Sequence, residues 1–202
     1  NDVLNPDLLD IIPNNRVKNC DYTARRMKDY PDGVIVNKSG ELAPAWSLKG
    51  FDGKMHNQNT LCPVCAKKRM QEEIPEILKK YPYYRGRFID VFGGGMDECF
   101  SKDHPLTKED SIVVKNEAFE ALENMGLIVG TEEGFDKIID HVAYSEGFHS
   151  PVYYRNKDSG RNHANIYTKE QCDHIKKNML NPKRRVPLWQ LTYHECLFTF
   201  PY

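Results

Sequence analysis

The chain has 202 residues, with 28 Lys and Arg set against 29 Asp and Glu, a formal net charge of -1 at pH 7. This length suits one domain with its own core, and the charge balance lacks the basic footprint of a nucleic-acid binder. No apolar run approaches the roughly 20 residues that a membrane helix needs, and Asn1-Asp2-Val3-Leu4 has none of the charged and apolar regions of a signal peptide, so neither a membrane span nor a nucleic-acid partner is expected.

An irregular start rich in Asn and Pro leads to Asp32-Gly33-Val34-Ile35-Val36-Asn37, a turn and a short strand. Trp46 to Asn59 is polar and glycine-spaced, which predicts a long loop. From Pro63 to Tyr81 the apolar residues Met70, Ile74, Ile77, Leu78 and Tyr81 recur at helical spacing, and Pro63 suits a first turn. Phe88 to Phe92 reads as a strand. Thr107 opens a second helix, with Ile112, Val113, Phe119, Leu122 and Met125 as its apolar stripe.

Met125 to Gly130 reads as the next strand, and Gly134 to His141 as a helix that turns Phe135, Ile138 and Ile139 inward. A strand or loop follows near Val142 to His149. Thr168 to Leu180 is predicted helical, and Val186 to His194 is predicted to be a last strand. Strand alternating with helix argues for an α/β parallel arrangement, either a barrel or a doubly wound sheet.

Of the six cysteines, Cys62-Pro63-Val64-Cys65 has zinc or redox spacing. A structural zinc site wants four ligands, and the sequence shows no second CxxC and no nearby HxxxH pair. Reduced, partly buried thiols are therefore expected, with no metal and no cofactor.

Asp90 is the conspicuous residue. It stands in Phe88-Ile89-Asp90-Val91-Phe92, an apolar strand with three glycines at its exit, where an ionised carboxylate is costly unless something pairs with it or uses it. A strand-end cap or an exposed edge strand would also place an acid there. A second strand, Leu127-Ile128-Val129-Gly130, runs likewise into Thr131-Glu132-Glu133-Gly134. Acids at successive strand ends favour a (β/α)8 barrel, in which groups from different strands converge at one face.

Two such acids suit glycoside hydrolysis. One serves as nucleophile and the other as acid and then base, a separation of ~5 Å giving retention of configuration and a wider gap inversion. Asp90, beside glycine N–H groups, suits the ionised role. Glu132, whose pKa its neighbour Glu133 would raise by repulsion, suits the protonated one. Phosphoryl transfer fits poorly: no GxxxxGK[ST] pattern follows Gly93-Gly94-Gly95, and the acids Asp97 and Glu98, read as solvated loop residues, repel phosphate.

The blocks Arg87 to Phe92, His104 to Asp110, Gly130 to Asp136 and Val186 to Cys196 resemble, in order, those of bacterial alpha-N-acetylgalactosaminidase-like enzymes, glycoside hydrolase family 129 and its relative family 101. The resemblance spans roughly residues 5 to 202. It implies a (β/α)8 TIM-type catalytic barrel that cleaves alpha-linked sugars with retention, with an oligosaccharide or glycoconjugate as substrate. Asp90 falls on the nucleophile position. The acid falls on Glu132 or Glu133, with Glu132 favoured.

Five visible strands, no initiator Met and an abrupt end at Phe200-Pro201-Tyr202 imply an incomplete barrel: residues 1–202 would be part of one catalytic domain, with further strands and accessory domains outside it. The resemblance also implies a secreted or cell-envelope location. A carbohydrate-binding or interaction module without turnover is the alternative. For substrate contact, Tyr193, His194 and Glu195 are candidates at the end of the last expected strand, Trp46 as a stacking platform, and His149 in a covering loop. Trp189 is read as core.

Overall fold

The computed structural model describes residues 2–3, 5–11, 27–134, 136–148, 168–174, 176–177, 181–184, 188–193, 195–196 and 198–200. Two small sheets and two long helices organise them. Strand β1 (Asp2–Val3), β2 (Pro44–Lys49) and β3 (Met55–Thr60) form an antiparallel sheet in the order β1-β3-β2.

Trp46 to Asn59 is thus a hairpin where a loop was expected. Its turn is closed by Gly50 N–H donating to the Lys54 carbonyl at 2.8 Å and by the Asp52 carboxylate, which accepts from Lys54 N–H at 3.0 Å and contacts His56 Nε2 at 2.8 Å. The amide-rich strand stays in register because its polar side chains bond sideways: Ser47 hydroxyl to Asn57, and Asn59 to the Ala43 carbonyl. Hydrogen bonds here replace the apolar alternation that normally announces a strand.

Helix α1 (Pro63–Lys80) begins on proline at N1, as its sequence predicts, and buries Ala66 and Ile74, with Met70, Ile77 and Leu78 packed beside them. Helix α2 (Lys108–Asn124) is capped by Thr107, whose hydroxyl accepts from Asp110 N–H at 3.1 Å and donates to the Asp110 carboxylate at 2.7 Å. Acids in that first turn also complement the helix dipole.

The second sheet is parallel throughout, in the order β4 (Gly86–Ile89), β5 (Ile128–Gly134), β6 (Tyr144–Phe148) and β7 (Phe198–Phe200). Between β4 and β5 the chain crosses through α2, and between β5 and β6 through a 3-10 helix at Asp136–His141. Ile89, Val129, Phe92, Phe119, Leu122 and Ile138 form the core between the sheet and α2, where the Phe92 and Phe119 rings meet edge to face at 5.3 Å. A satellite cluster of Ile35, Cys62, Cys99 and Leu106 lies under the N-terminus of α1.

Two further expectations change. The strand through Asp90 ends at Ile89, because Val91 at φ 59° turns the chain out of the ladder and drops Phe92 into the core, fully buried. The last expected strand is a helix, α4 (Leu188–Tyr193), with β7 five residues further on; Pro187 precedes it in sequence, where a proline suits the first turn of a helix. In the helix expected from Thr168, the described helical span α3 is Lys169–His174. The architecture is mixed α/β with a consecutive, parallel four-stranded arc; a closed eight-stranded barrel is not found among the described residues.

Candidate active site

Register along the parallel sheet sorts its side chains into rows. Phe88 pairs with Gly130, Gly130 with Tyr144, and Tyr144 with Phe198, so these residues share one face. Gly130 is required in that row: a Cβ there would lie 2.1 Å from the Tyr144 ring, which crosses over it to stack on Phe88 with 6.0 Å between centroids. Burial raises the Tyr144 phenol pKa, and the charge of Arg87 opposes the shift.

One row further along, Ile89, Thr131, Ser145 and Thr199 are aligned, and Ile89, Thr131 and Ser145 are buried on the opposite side, against the helical layer. The next row returns to the aromatic face and is acidic. Glu132 pairs with Glu146, and Asp90 follows Ile89 at the matching position, just as the chain leaves β4. By backbone register, acidic residues from β5, β6 and the turn directly after β4 therefore form a row at the C-terminal ends, on the face that carries the aromatic rings.

Asp90 is not the buried charge its sequence setting suggests. It lies in an exposed turn. Glu132 is buried, at 9% exposure, while Glu133 is half-buried with φ 54°. Among the described residues, the two non-glycine positions with left-handed backbone, Val91 and Glu133, each directly follow an acid of this row. Such conformations are costly for side chains with a Cβ and persist where the surroundings force them, often at functional sites.

Hydroxyls force them here. The Thr131 hydroxyl donates to the Ile89 carbonyl at 2.9 Å and accepts from Gly93 N–H at 2.8 Å, tying the turn after Asp90 to the neighbouring strand. Ser145, its register partner, accepts from Gly134 N–H at 2.8 Å and ties the exit of β5 to β6 in the same way. Gly93 admits no side chain, since a Cβ would meet Thr131 Cγ2 at 2.3 Å.

The loop beyond is clamped by Lys115 of α2. Its ammonium, 1% exposed, pairs with Asp97 at 2.7 Å, donates to the carbonyls of Gly94 and Gly95, and lies 5.7 Å from the centre of the Phe92 ring. Asp97, expected to be a solvated loop acid, is instead the partner of a buried cation. A cleft of about 630 Å³ opens beside this loop, lined by Ala45, Trp46, Ser47, Thr60, Val91, Gly94 and Asp97. Trp46 reaches it from the antiparallel sheet, whereas the carboxylates of Asp90, Glu132 and Glu133 are not among its lining groups.

Of the other residues singled out in the sequence, Tyr193 is half-buried at the end of α4 and Glu195 lies in an exposed turn. His149 and His194 lie outside the described residues, as do Phe135 and Cys20. Glu146 escaped sequence reading although a signal exists: Ser145-Glu146-Gly147-Phe148 repeats the hydroxyl, acid, glycine, phenylalanine order of Thr131 to Phe135, short by one acid. Lys115 carried no signal, being one lysine on a charged helix.

A family model described as glycosyl hydrolases related to the GH101 family, GH129, matches residues 21–200. A search of curated proteins found no match. Among solved structures the chain is similar to the alpha-N-acetylgalactosaminidase NagBb from Bifidobacterium bifidum. The ligand-free form gives a TM-score of 0.56 at 21% identity and the Gal-NHAc-DNJ complex 0.57 at 21%. In both cases 82% of this chain is covered, against 23% and 22% of NagBb, so the chain spans less than a quarter of that structure. At this identity the likeness is one of fold.

Proposed function

Since the chain belongs to the GH129 family of glycosyl hydrolases, we propose that it carries the catalytic carboxylates of a retaining glycosidase that cleaves alpha-linked sugars. The observation that carries the reading is the acidic row at the C-terminal ends of β4, β5 and β6. Neighbouring strands lie ~4.8 Å apart, close to the ~5 Å between the two acids of a retaining enzyme. Asp90, exposed and beside a turn rich in backbone N–H groups, is assigned as nucleophile. It attacks the anomeric carbon while a glutamic acid on β5 protonates the leaving oxygen; that glutamate then takes the proton from the water that frees the sugar.

Glu132 is the leading choice for the acid, because it is buried and stands on the aromatic face in register with Glu146. The left-handed backbone of Glu133 supports the second choice. The name of NagBb and its structure described as a GalNAc complex support alpha-linked N-acetylgalactosamine as the sugar. Trp46 in the cleft is assigned to stack on a sugar face, and Tyr193, His194, Glu195 and His149 remain proposed substrate contacts. The parallel arc is read as part of a (β/α)8 barrel in which residues 1–202 belong to one catalytic domain.

The test is hydrolysis of an aryl alpha-N-acetylgalactosaminide by the full-length protein and its variants. Asp90→Asn is expected to lower kcat by at least a hundredfold, the scale on which such groups act. Glu132→Gln and Glu133→Gln should separate, one losing the alkaline limb of the pH profile, where the general acid deprotonates, and the other keeping it. Sugar binding without any product would overturn the reading in favour of a binding module, and an unimpaired Asp90→Asn enzyme would remove Asp90 from the nucleophile role.

A further inference from the structure

Away from the acidic row, three buried donors converge. The ligand atoms of Cys62, Cys99 and His104 all lie within 4.8 Å of one another, and Cys99 Sγ is 3.4 Å from His104 Nδ1. Cys65, one helical turn beyond Cys62, joins the group through a hydrogen bond between the two thiols. The CxxC spacing offers only two ligands in sequence. The fold supplies the rest from Cys99-x4-His104, a segment brought back by the bridge between Cys99 and Leu106.

We propose that Cys62, Cys65, Cys99 and His104 form a structural site for a tetrahedral, borderline-soft dication of the zinc class. Cys3His is an established ligand set for such ions. The surroundings match those of a metal centre in three respects. His104 Nε2–H donates to the Asp32 carbonyl at 2.6 Å, which leaves Nδ1 as the unprotonated nitrogen facing the sulfurs. Val36 N–H donates to Cys99 Sγ at 3.3 Å, as suits a thiolate. The cluster also sits at the N-terminus of the 18-residue helix α1, whose dipole offsets the negative charge of three thiolates around one dication.

A redox disulfide explains less. It would use two sulfurs and need access, whereas Cys62 is fully buried and the donors from Cys99 and His104 face it. Binding releases the three thiol protons and joins the start of α1 to the loop that runs from Asp90 through Gly93 and Asp97. The ion would therefore brace the candidate active site from behind without touching substrate.

The full-length protein, purified without a histidine tag, is assayed for metal by elemental analysis after exhaustive dialysis. About one zinc per chain is expected. Replacement by cobalt should give thiolate-to-metal charge-transfer absorption and the visible bands of a tetrahedral ion, a readout independent of activity and of any variant's folding. Cys65→Ser and His104→Ala should lose the metal, while Cys196→Ser, at an exposed turn, keeps it. Absence of bound metal in zinc-replete protein overturns the site, as does a Cys62–Cys65 disulfide found by mass spectrometry, or thiols at Cys62 and Cys99 as reactive as Cys196.

Discussion

Thr131 shows how one hydroxyl can aim a proposed catalytic group it does not touch. It is both donor to Ile89 and acceptor from Gly93, so the turn bearing Asp90 has its two ends fixed to a single side chain. Thr131→Val keeps the shape and leaves a buried N–H and a buried carbonyl unpaired, at a cost of about 1–3 kcal/mol. The expected outcome is a lower denaturation midpoint and a fall in kcat larger than any change in KM, with Thr131→Ser recovering most of both. A Val variant with unchanged kcat would remove Thr131 from a positioning role. Tyr144 gives a pH signature. Its pKa is raised in the folded state, so the neutral phenol is favoured there, and its contribution to stability is present below the ordinary value of 10.0 and lost as pH rises through the raised one. Thermal melts of Tyr144→Phe should accordingly show a shallower alkaline decline than those of the parent protein.

Among the elements, the connection from β4 to α2 is decisive, because α2 reaches back to hold the loop that follows Asp90. Lys115 supplies that hold, and it is buried while Asp97 is 29% exposed. Lys115→Met retains much of the bulk but strands the Asp97 carboxylate and two glycine carbonyls. Breaking a fully buried pair costs about 3–5 kcal/mol, and the partial exposure of Asp97 lowers the expected loss to about 2–3 kcal/mol. Urea denaturation measures it, and adding Asp97→Asn should restore part of the loss. Both long helices were legible in the sequence for local reasons, proline at N1 in one and a Thr-Asp cap in the other. The β2–β3 hairpin was not, since its strands are held by amide and hydroxyl contacts rather than by apolar alternation.

For the molecule as a whole, the two faces of the parallel sheet are unequal. One is sealed by α2 and the 3-10 helix, while the aromatic face leaves Ile128 58% and Phe198 79% exposed. An open apolar surface of this kind binds hydrophobic dyes. The 202-residue chain is expected to enhance the fluorescence of such a dye, and Phe198→Ser should reduce it; equal fluorescence from both proteins would mean that this face is covered in solution. The same face carries the acidic row, so whatever covers the aromatic floor would, on the proposed function, also set how far substrate descends toward Asp90 and Glu132.

By itself the sequence determined the two long helices, the strands that run into acids, and the family to which those ordered blocks belong. These are local patterns of apolar spacing, caps and short motifs, which neighbouring residues dictate. Only the tertiary structure decided that Asp90 stands exposed past the end of its strand, that Glu146 joins the acidic row, that Lys115 is buried against Asp97, and that Cys99 and His104 meet the Cys62-Cys65 pair. Each of these depends on strand register or on segments many residues apart, and pairings of that range are set by how sheet and helices pack rather than by any stretch of sequence read alone.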